Sequence, residues 1–292
     1  MQIRTDLAVE ARENAGDESE NLHGVRVEEY TLQKEENHVT KVFIESKNGS
    51  KALGKPMGIY VTLEVPNMVE ADLDYHEEIS IQISKILKEM MPDKDQEKKI
   101  LVVGLGNRDV TADALGPRSV DNLLITRHVI HQFGAAAYDK EKMNQISAIA
   151  PGVMAMTGME AAEIVSGIVG ETKPDLIIAI DALAARSTKR LNRTVQITNT
   201  GIHPGSGVGN YRNALTEESM GIPVFAIGIP TVVDAGTIVK DIMDRQGLKG
   251  TEEPAGLAEL NKFYVTGKDI DEIIKRLSFT VSEALNKAFE ME

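Results

Sequence analysis

Residues 177–186, Ile-Ile-Ala-Ile-Asp-Ala-Leu-Ala-Ala-Arg, constrain the fold of this chain more than any other stretch. A half-exposed strand alternates apolar and polar residues. Four apolar residues in succession, bounded by breaks, instead form the pattern of a strand buried on both faces of a sheet. Asp181 closes the run. Open α/β sheets bind ligands beyond the carboxyl ends of their strands, so a carboxylate here stands where such folds keep their chemistry. The plainer reading is an Asp that caps the helix or turn that follows.

The segments around this strand set the fold class. An apolar strand at 100–103 precedes a helical pattern at 120–133, a strand at 146–149 and a helix at 158–169. Beyond 176–180 come a strand at 224–229, a helix at 231–243 and an amphipathic helix at 270–289. Such alternation predicts an α/β fold, a mostly parallel central sheet with helices on both faces. Before it, Val25, Val27 and Tyr30 alternate, and residues 39–44 continue the pattern, which predicts an antiparallel hairpin joined by 34–37. Asn48-Gly49 reads as a turn, and residues 58–65 as a third strand stopped by Pro66. Ile79, Ile83, Ile86, Leu87 and Met90 recur at helical spacing across 71–91. Residues 195–198 predict a short strand, placed as an antiparallel partner, and 246–256 a surface loop; 1–24 show no periodicity. The chain thus divides into a β-rich part, 7–92, and an α/β core with a C-terminal helix, 93–292, within one domain.

Bulk properties narrow the function. A net charge of −13 argues against direct nucleic-acid binding, which needs a basic stripe. The absence of cysteine excludes thiolate nucleophiles, disulfides and cysteine zinc sites. The polar start lacks a secretory signal, and no apolar run reaches membrane-spanning length, so the expectation is a soluble, intracellular protein.

Three loops carry candidate chemistry. Gly104-Leu105-Gly106-Asn107 follows a strand, but Asp109 stands where a dinucleotide fingerprint needs its third glycine. The glycines equally serve a tight turn that frees the next loop to place its side chains. That loop holds Asp113, either a cap for the helix near Pro117 or a second carboxylate at a strand's end. Two carboxylates at close range push their pKa values apart and can share a proton while activating water. Residues 151–158 and 201–210 are rich in glycine, and the second holds His203, open to a metal, acid–base or structural role. Gly205-Ser206-Gly207 is not a nucleophile elbow after a strand, which argues against a Ser-His-Asp triad.

With these residues in view, the chain resembles the germination proteases of spore-forming bacteria. The likeness runs through Arg4-Thr5-Asp6-Leu7-Ala8-Val9-Glu10 and then through 101–107, 113–128, 147–158, 174–186, 201–210 and 221–235. The resemblance implies an endopeptidase of the spore core that starts the degradation of small acid-soluble spore proteins during germination. It also implies an atypical aspartic-type peptidase, distantly similar to hydrogenase-maturation proteases. Its two essential aspartates fall on Asp113 and Asp181, with Asn107 and His203 as cleft neighbours and with no metal or cofactor. It further implies a zymogen that cuts itself between Asp6 and Leu7, which makes residues 1–6 a short propeptide, and a homotetramer without membrane contact. The rivals are a metal-dependent peptidase whose aspartates and His203 hold an ion, and a non-catalytic nucleotide-binding module built on residues 104–107.

Overall fold

The computed structural model describes residues 5–14, 23–32, 37–70, 72–92, 96–138, 143–203, 213–246, 256–260 and 262–290. Helix α1 (Ala8–Asn14) opens the chain. Strands β1 (Val25–Leu32) and β2 (Asn37–Ile44) follow, then helix α2 (Lys47–Leu53), strand β3 (Gly58–Glu64) and helix α3 (Leu73–Met90). Next come β4 (Lys99–Gly104), α4 (Leu115–Val120), α5 (Arg127–Phe133) and β5 (Gln145–Ile149). Helices α6 (Met154–Thr157) and α7 (Ala161–Thr172) lead to β6 (Leu176–Ala185) and β7 (Thr194–Thr198). The chain continues through α8 (Glu217–Met220), β8 (Val224–Asp234), α9 (Ala235–Arg245), α10 (Leu257–Leu260), β9 (Tyr264–Val265) and α11 (Ile270–Phe289).

The strands form one mixed sheet in the order β1-β2-β3-β7-β8-β6-β4-β5, with β9 on the edge of β8. Strands β5, β4, β6 and β8 are parallel, whereas β1, β2, β3 and β7 join antiparallel. The expected α/β class, parallel centre and antiparallel N-terminal part are all present.

Alternation along the central strands assigns their two faces. Ile100 and Val102 of β4 and Leu176, Ile178 and Ile180 of β6 pack against α3 and α11 through Ile79, Ile83, Leu87, Ile274, Leu277 and Val281. Leu101, Val103, Ile177 and Ala179 point the other way, onto Ala162 and Val165 of α7. A strand covered on both faces has no solvent side, which is why 177–180 reads as continuous apolar residues.

Several boundaries differ from the sequence reading, each for a tertiary reason. Strand β6 does not end at Ile180: it runs through Asp181 to Ala185, paired with β8. Strand β8 likewise continues through 231–234, where a helix was expected, because β6 pairs it to Val233 and β9 pairs it at Val233 and Asp234. The expected helix 120–133 breaks between α4 and α5, where the Thr126 hydroxyl donates to the Asn144 carbonyl and accepts the Ile146 N–H. Asn48-Gly49 lies inside α2, whose cap is Ser46, not in a turn. The expected helix 158–169 begins only at Ala161, since Gly158 is left-handed and closes α6. Residues 1–24, read as without periodicity, contain α1. Within the loops expected at 34–37, 201–210 and 246–256, residues 34–36, 204–210 and 247–255 lie outside the described residues.

One close approach positions the site. A Cβ on Gly116 would intrude on the carbonyl oxygens of Leu105 and Ile180, and one on Gly104 would intrude on the Gly116 carbonyl. The first turn of α4 therefore lies directly on the ends of β4 and on Ile180 of β6. Replacing Gly116→Ala is expected to lower stability by about 3 kcal/mol, the upper part of the overpacking range, because backbone cannot move aside as a side chain does. Urea unfolding checks this, and an unchanged midpoint would contradict it.

Candidate active site

Strand β4 pairs with β6 as far as Gly104 opposite Ile180 and then departs. Asp181 is therefore the first residue of β6 past the edge of β4, although it lies inside its own strand. It does not precede a helix or turn, so the capping reading fails. The side chain is 7% exposed, and its Oδ1 accepts the Ala182 N–H at 2.9 Å. Across the sheet Asp181 pairs with Gly228 of β8, and Gly228 pairs with Gln196 of β7. Two strand spacings separate Asp181 from Gln196, roughly 10 Å. The residue between them has no side chain, and the Leu183 side chain packs over Gly228 in its place.

Asp113 is carried by the loop that follows β4. It ends a single 3₁₀ turn, residues 111–113, just before α4. The Asn107 N–H donates to Asp113 Oδ2 at 2.9 Å and also lies 3.0 Å from the Asp113 carbonyl. Gly106, at φ 114°, leaves no room for a Cβ beside that carbonyl. The Thr231 hydroxyl of β8 donates to the Ala112 carbonyl at 2.6 Å and ties the loop to the sheet. Helix α4 starts at Leu115, earlier than expected, with no side-chain cap, so Asp113 is not its cap. The space beside Gly104 and Gly106 is taken by the backbones of Gly116 and Asp113, the close approach that a tight turn with glycines allows.

Asp113 and Asp181 line one cavity of about 480 Å³, together with Gly106, Lys55, Gln196 and Gly228. His203 stands at its rim, and partial burial with the nearby Lys55 ammonium lowers its pKa, which favours the neutral ring. Tyr60 donates to the Pro56 carbonyl at 3.0 Å, and burial pushes its pKa up to about 12. Asn107 supports Asp113 through its backbone, while its side chain accepts the Asp109 N–H at 3.0 Å. Neither Asn107 nor Asp109 is among the lining residues. Ser206 lies outside the described residues. Among the described residues, no three His, Asp or Glu side chains converge as an ion site would need.

The N-terminal segment enters this cavity. Beyond Gly104 the edge of β6 is vacated by β4, and Asp6 takes it: its N–H donates to the Ala184 carbonyl at 3.0 Å, and its Oδ2 accepts the Ala184 N–H at 2.9 Å. One backbone bond and one side-chain bond thus anchor Asp6 to the edge of β6. Leu7 is fully buried among Leu183, Ala185 and Val233, and Ala8 is buried with Val42, Leu53 and Tyr60. Thr5 accepts the Leu7 N–H at 3.1 Å and donates to Glu10. Glu10 is itself buried and accepts the N–H groups of Arg186 at 2.7 Å and Ser187 at 3.0 Å. Burial pushes the Glu10 pKa up, against those hydrogen bonds and the Arg190 charge.

The sequence reading did not find Lys55, Gln196 or Glu10. Gln196 carried a faint signal, a polar residue between Val195 and Ile197 that alternation turns away from the main core. Lys55 carried none.

Comparison with known proteins decides the family. The germination protease family matches residues 3–250. The chain belongs to the germination protease family. Relatives include the germination proteases of Caldanaerobacter subterraneus, 42% identical over 99% of this chain and 94% of that one, and of Clostridium perfringens, 41% identical over 99% and 95%. The germination protease of Bacillus cereus is 42% identical over 95% of this chain and 79% of its own. Among solved structures, a [NiFe] hydrogenase maturation protease, HycI of Thermococcus kodakarensis, aligns with a TM-score of 0.37 at 19% identity, covering 68% of this chain and 98% of its own. Among the described residues of this germination protease family member, no helix is long and apolar enough to cross a membrane.

The docking of the N-terminal segment depends on Leu7. Leu7→Ala is expected to weaken that docking by about 2 to 5 kcal/mol, as buried leucine truncations do. Amide exchange over residues 8–14 would accelerate accordingly, and unchanged protection would contradict the packing account.

Proposed function

We propose that this protein is an endopeptidase whose Asp113 and Asp181 activate water. One observation carries the reading. The Asp6–Leu7 peptide, expected from sequence as the self-cleavage site, borders the same cavity as both carboxylates. One aspartate, ionised, takes a proton from the attacking water. The other, protonated, gives its proton to the departing nitrogen. Such a division of labour needs two carboxylates in unequal states, and burial strengthens their influence on each other.

In this reading residues 1–6 are a propeptide and 7–292 the peptidase domain, and Thr5-Asp6-Leu7-Ala8 occupies the cleft as a substrate would. Support comes from the burial of Leu7 and Ala8 and the pairing of Thr5 and Asp6, with Thr5 held by Glu10, Asp6 on the edge of β6 and Leu7 in an apolar socket. His203 shapes the rim of the cleft, and Asn107 acts through Asp113. The substrates are small acid-soluble spore proteins, cleaved in the spore core at the start of germination, and the working assembly is a homotetramer. The family name and the likeness of residues 5–8 to the sequence cut in those proteins support this substrate class.

The test is cleavage of a purified small acid-soluble spore protein by wild type, Asp113→Asn and Asp181→Asn, each with and without a strong chelator. Both substitutions are expected to lower the rate by about 10⁴-fold or more, since paired acid–base groups act as a unit. The chelator is expected to change nothing. Loss of wild-type activity on chelation would make the carboxylates metal ligands, and cleavage that survives both substitutions would place the active site elsewhere.

A further inference from the structure

The oxygen of the Asp6 carbonyl is the atom on which negative charge develops when water attacks the Asp6–Leu7 bond. It accepts two hydrogen bonds from side chains, one from Lys55 Nζ at 2.9 Å and one from Gln196 Nε2 at 3.1 Å. The same Gln196 accepts the Ala8 N–H through Oε1 at 2.7 Å. That second bond fixes the orientation of the amide: an N–H must meet the oxygen, so the NH₂ is turned to the Asp6 carbonyl. Gln196 thus grips the chain on both sides of Leu7, from a buried position on β7.

Lys55 is aimed by local structure. Helix α2 ends at Gly54 in the left-handed conformation, φ 63°, which turns the chain sharply. The Ser50 hydroxyl then donates to the Lys55 carbonyl at 2.7 Å, and the Lys55 N–H donates to the Ser50 carbonyl at 3.2 Å. The ammonium projects into the cavity, where burial lowers its pKa while the Asp6 and Glu10 carboxylates oppose the shift.

We propose that Lys55 and Gln196 are catalytic residues, the carbonyl-binding half of a reaction centre whose other half is Asp113 and Asp181. The proposal rests on the two-aspartate reading for the source of the nucleophile, but it concerns the other side of the bond. Water oxygen bonds to the Asp6 carbonyl carbon as its proton passes to the ionised aspartate. The carbonyl π pair moves onto the oxygen facing Lys55 and Gln196. It returns as the carbon–nitrogen bond breaks, and the Leu7 nitrogen takes the proton of the second aspartate. One water is consumed, and an Asp6 carboxyl and a Leu7 amine are formed. Donors already in place for that oxygen need no rearrangement as charge builds, which is why such pairs contribute strongly to catalysis.

Self-cleavage of the full chain tests this, followed by mass as the first-order appearance of a chain beginning at Leu7. The variants are Lys55→Met and Gln196→Glu. The second keeps an acceptor for the Ala8 N–H but replaces the donor to Asp6 with a carboxylate oxygen. Amide exchange over residues 8–14 is read in parallel, to separate loss of chemistry from loss of docking. Each variant is expected to cleave about 100-fold more slowly or worse, the effect of removing one oxyanion donor, with protection over 8–14 retained. Rates within threefold of wild type would overturn the proposal. So would slow cleavage matched by lost protection in both variants, since that assigns the pair to docking alone. Asp113→Asn and Asp181→Asn, run alongside, judge the nucleophile separately: their activity would sink the two-aspartate reading without rescuing or condemning the carbonyl pair.

Discussion

The geometry of the site depends on how closely the start of α4 lies on the ends of β4 and β6. Gly116 packs against the Leu105 and Ile180 carbonyls, and Gly104 against Gly116. Any side chain at these positions would lift α4 from the sheet. Because Asp113 precedes this contact by three residues and Asp181 follows Ile180 by one, the same contact sets the relation between the two carboxylates. The dense glycines of this loop are a packing requirement, and the placement of charge is its consequence. A nucleotide site would need that space open.

A second constraint follows from unequal strand lengths. Strand β4 stops at Gly104 while β6 continues to Ala185, which leaves backbone groups of β6 without a neighbour on that side. Unpaired edges recruit extended chain. Here Asp6 takes the Ala184 groups, and the Glu10 carboxylate takes the Arg186 and Ser187 N–H groups. The protein's own N-terminal segment thus lies against this edge, and Asp6 lines the cavity that Asp113, Asp181, Lys55 and Gln196 share.

Much of this was legible in the sequence, and what escaped did so for identifiable reasons. The run 177–180, α3 and α11 each carry apolar residues at a steady spacing, so periodicity finds them, and the apolar residues of β1 and β2 recur closely enough to mark the hairpin. Asp113 and Asp181 emerged as a pair because each follows an apolar strand or its loop. The extension of β6 through Ala182, Leu183, Ala184 and Ala185 was hidden: alanine has little strand preference, and only pairing with β8 decides. The break before α5 was masked by Leu123, Leu124 and Ile125, which fill a helical period that Thr126 interrupts through a tertiary bond to β5. Helix α1 was missed because its buried face includes Glu10, a charge that reads as solvent-facing until its backbone partners 176 and 177 residues away are known. Lys55 was invisible for the same reason, and Gln196 showed only as a break in alternation, since their partner is a carbonyl from a distant part of the chain.

In the proposed function each chain cuts its own N-terminal segment in its own cavity. The most direct measurement is the rate at which chains beginning at Leu7 appear, followed over a hundredfold range of protein concentration. An intramolecular cut gives a first-order rate constant that does not change across that range. A rate constant that rises in proportion to concentration, or a new chain beginning at a residue other than Leu7, would contradict the account.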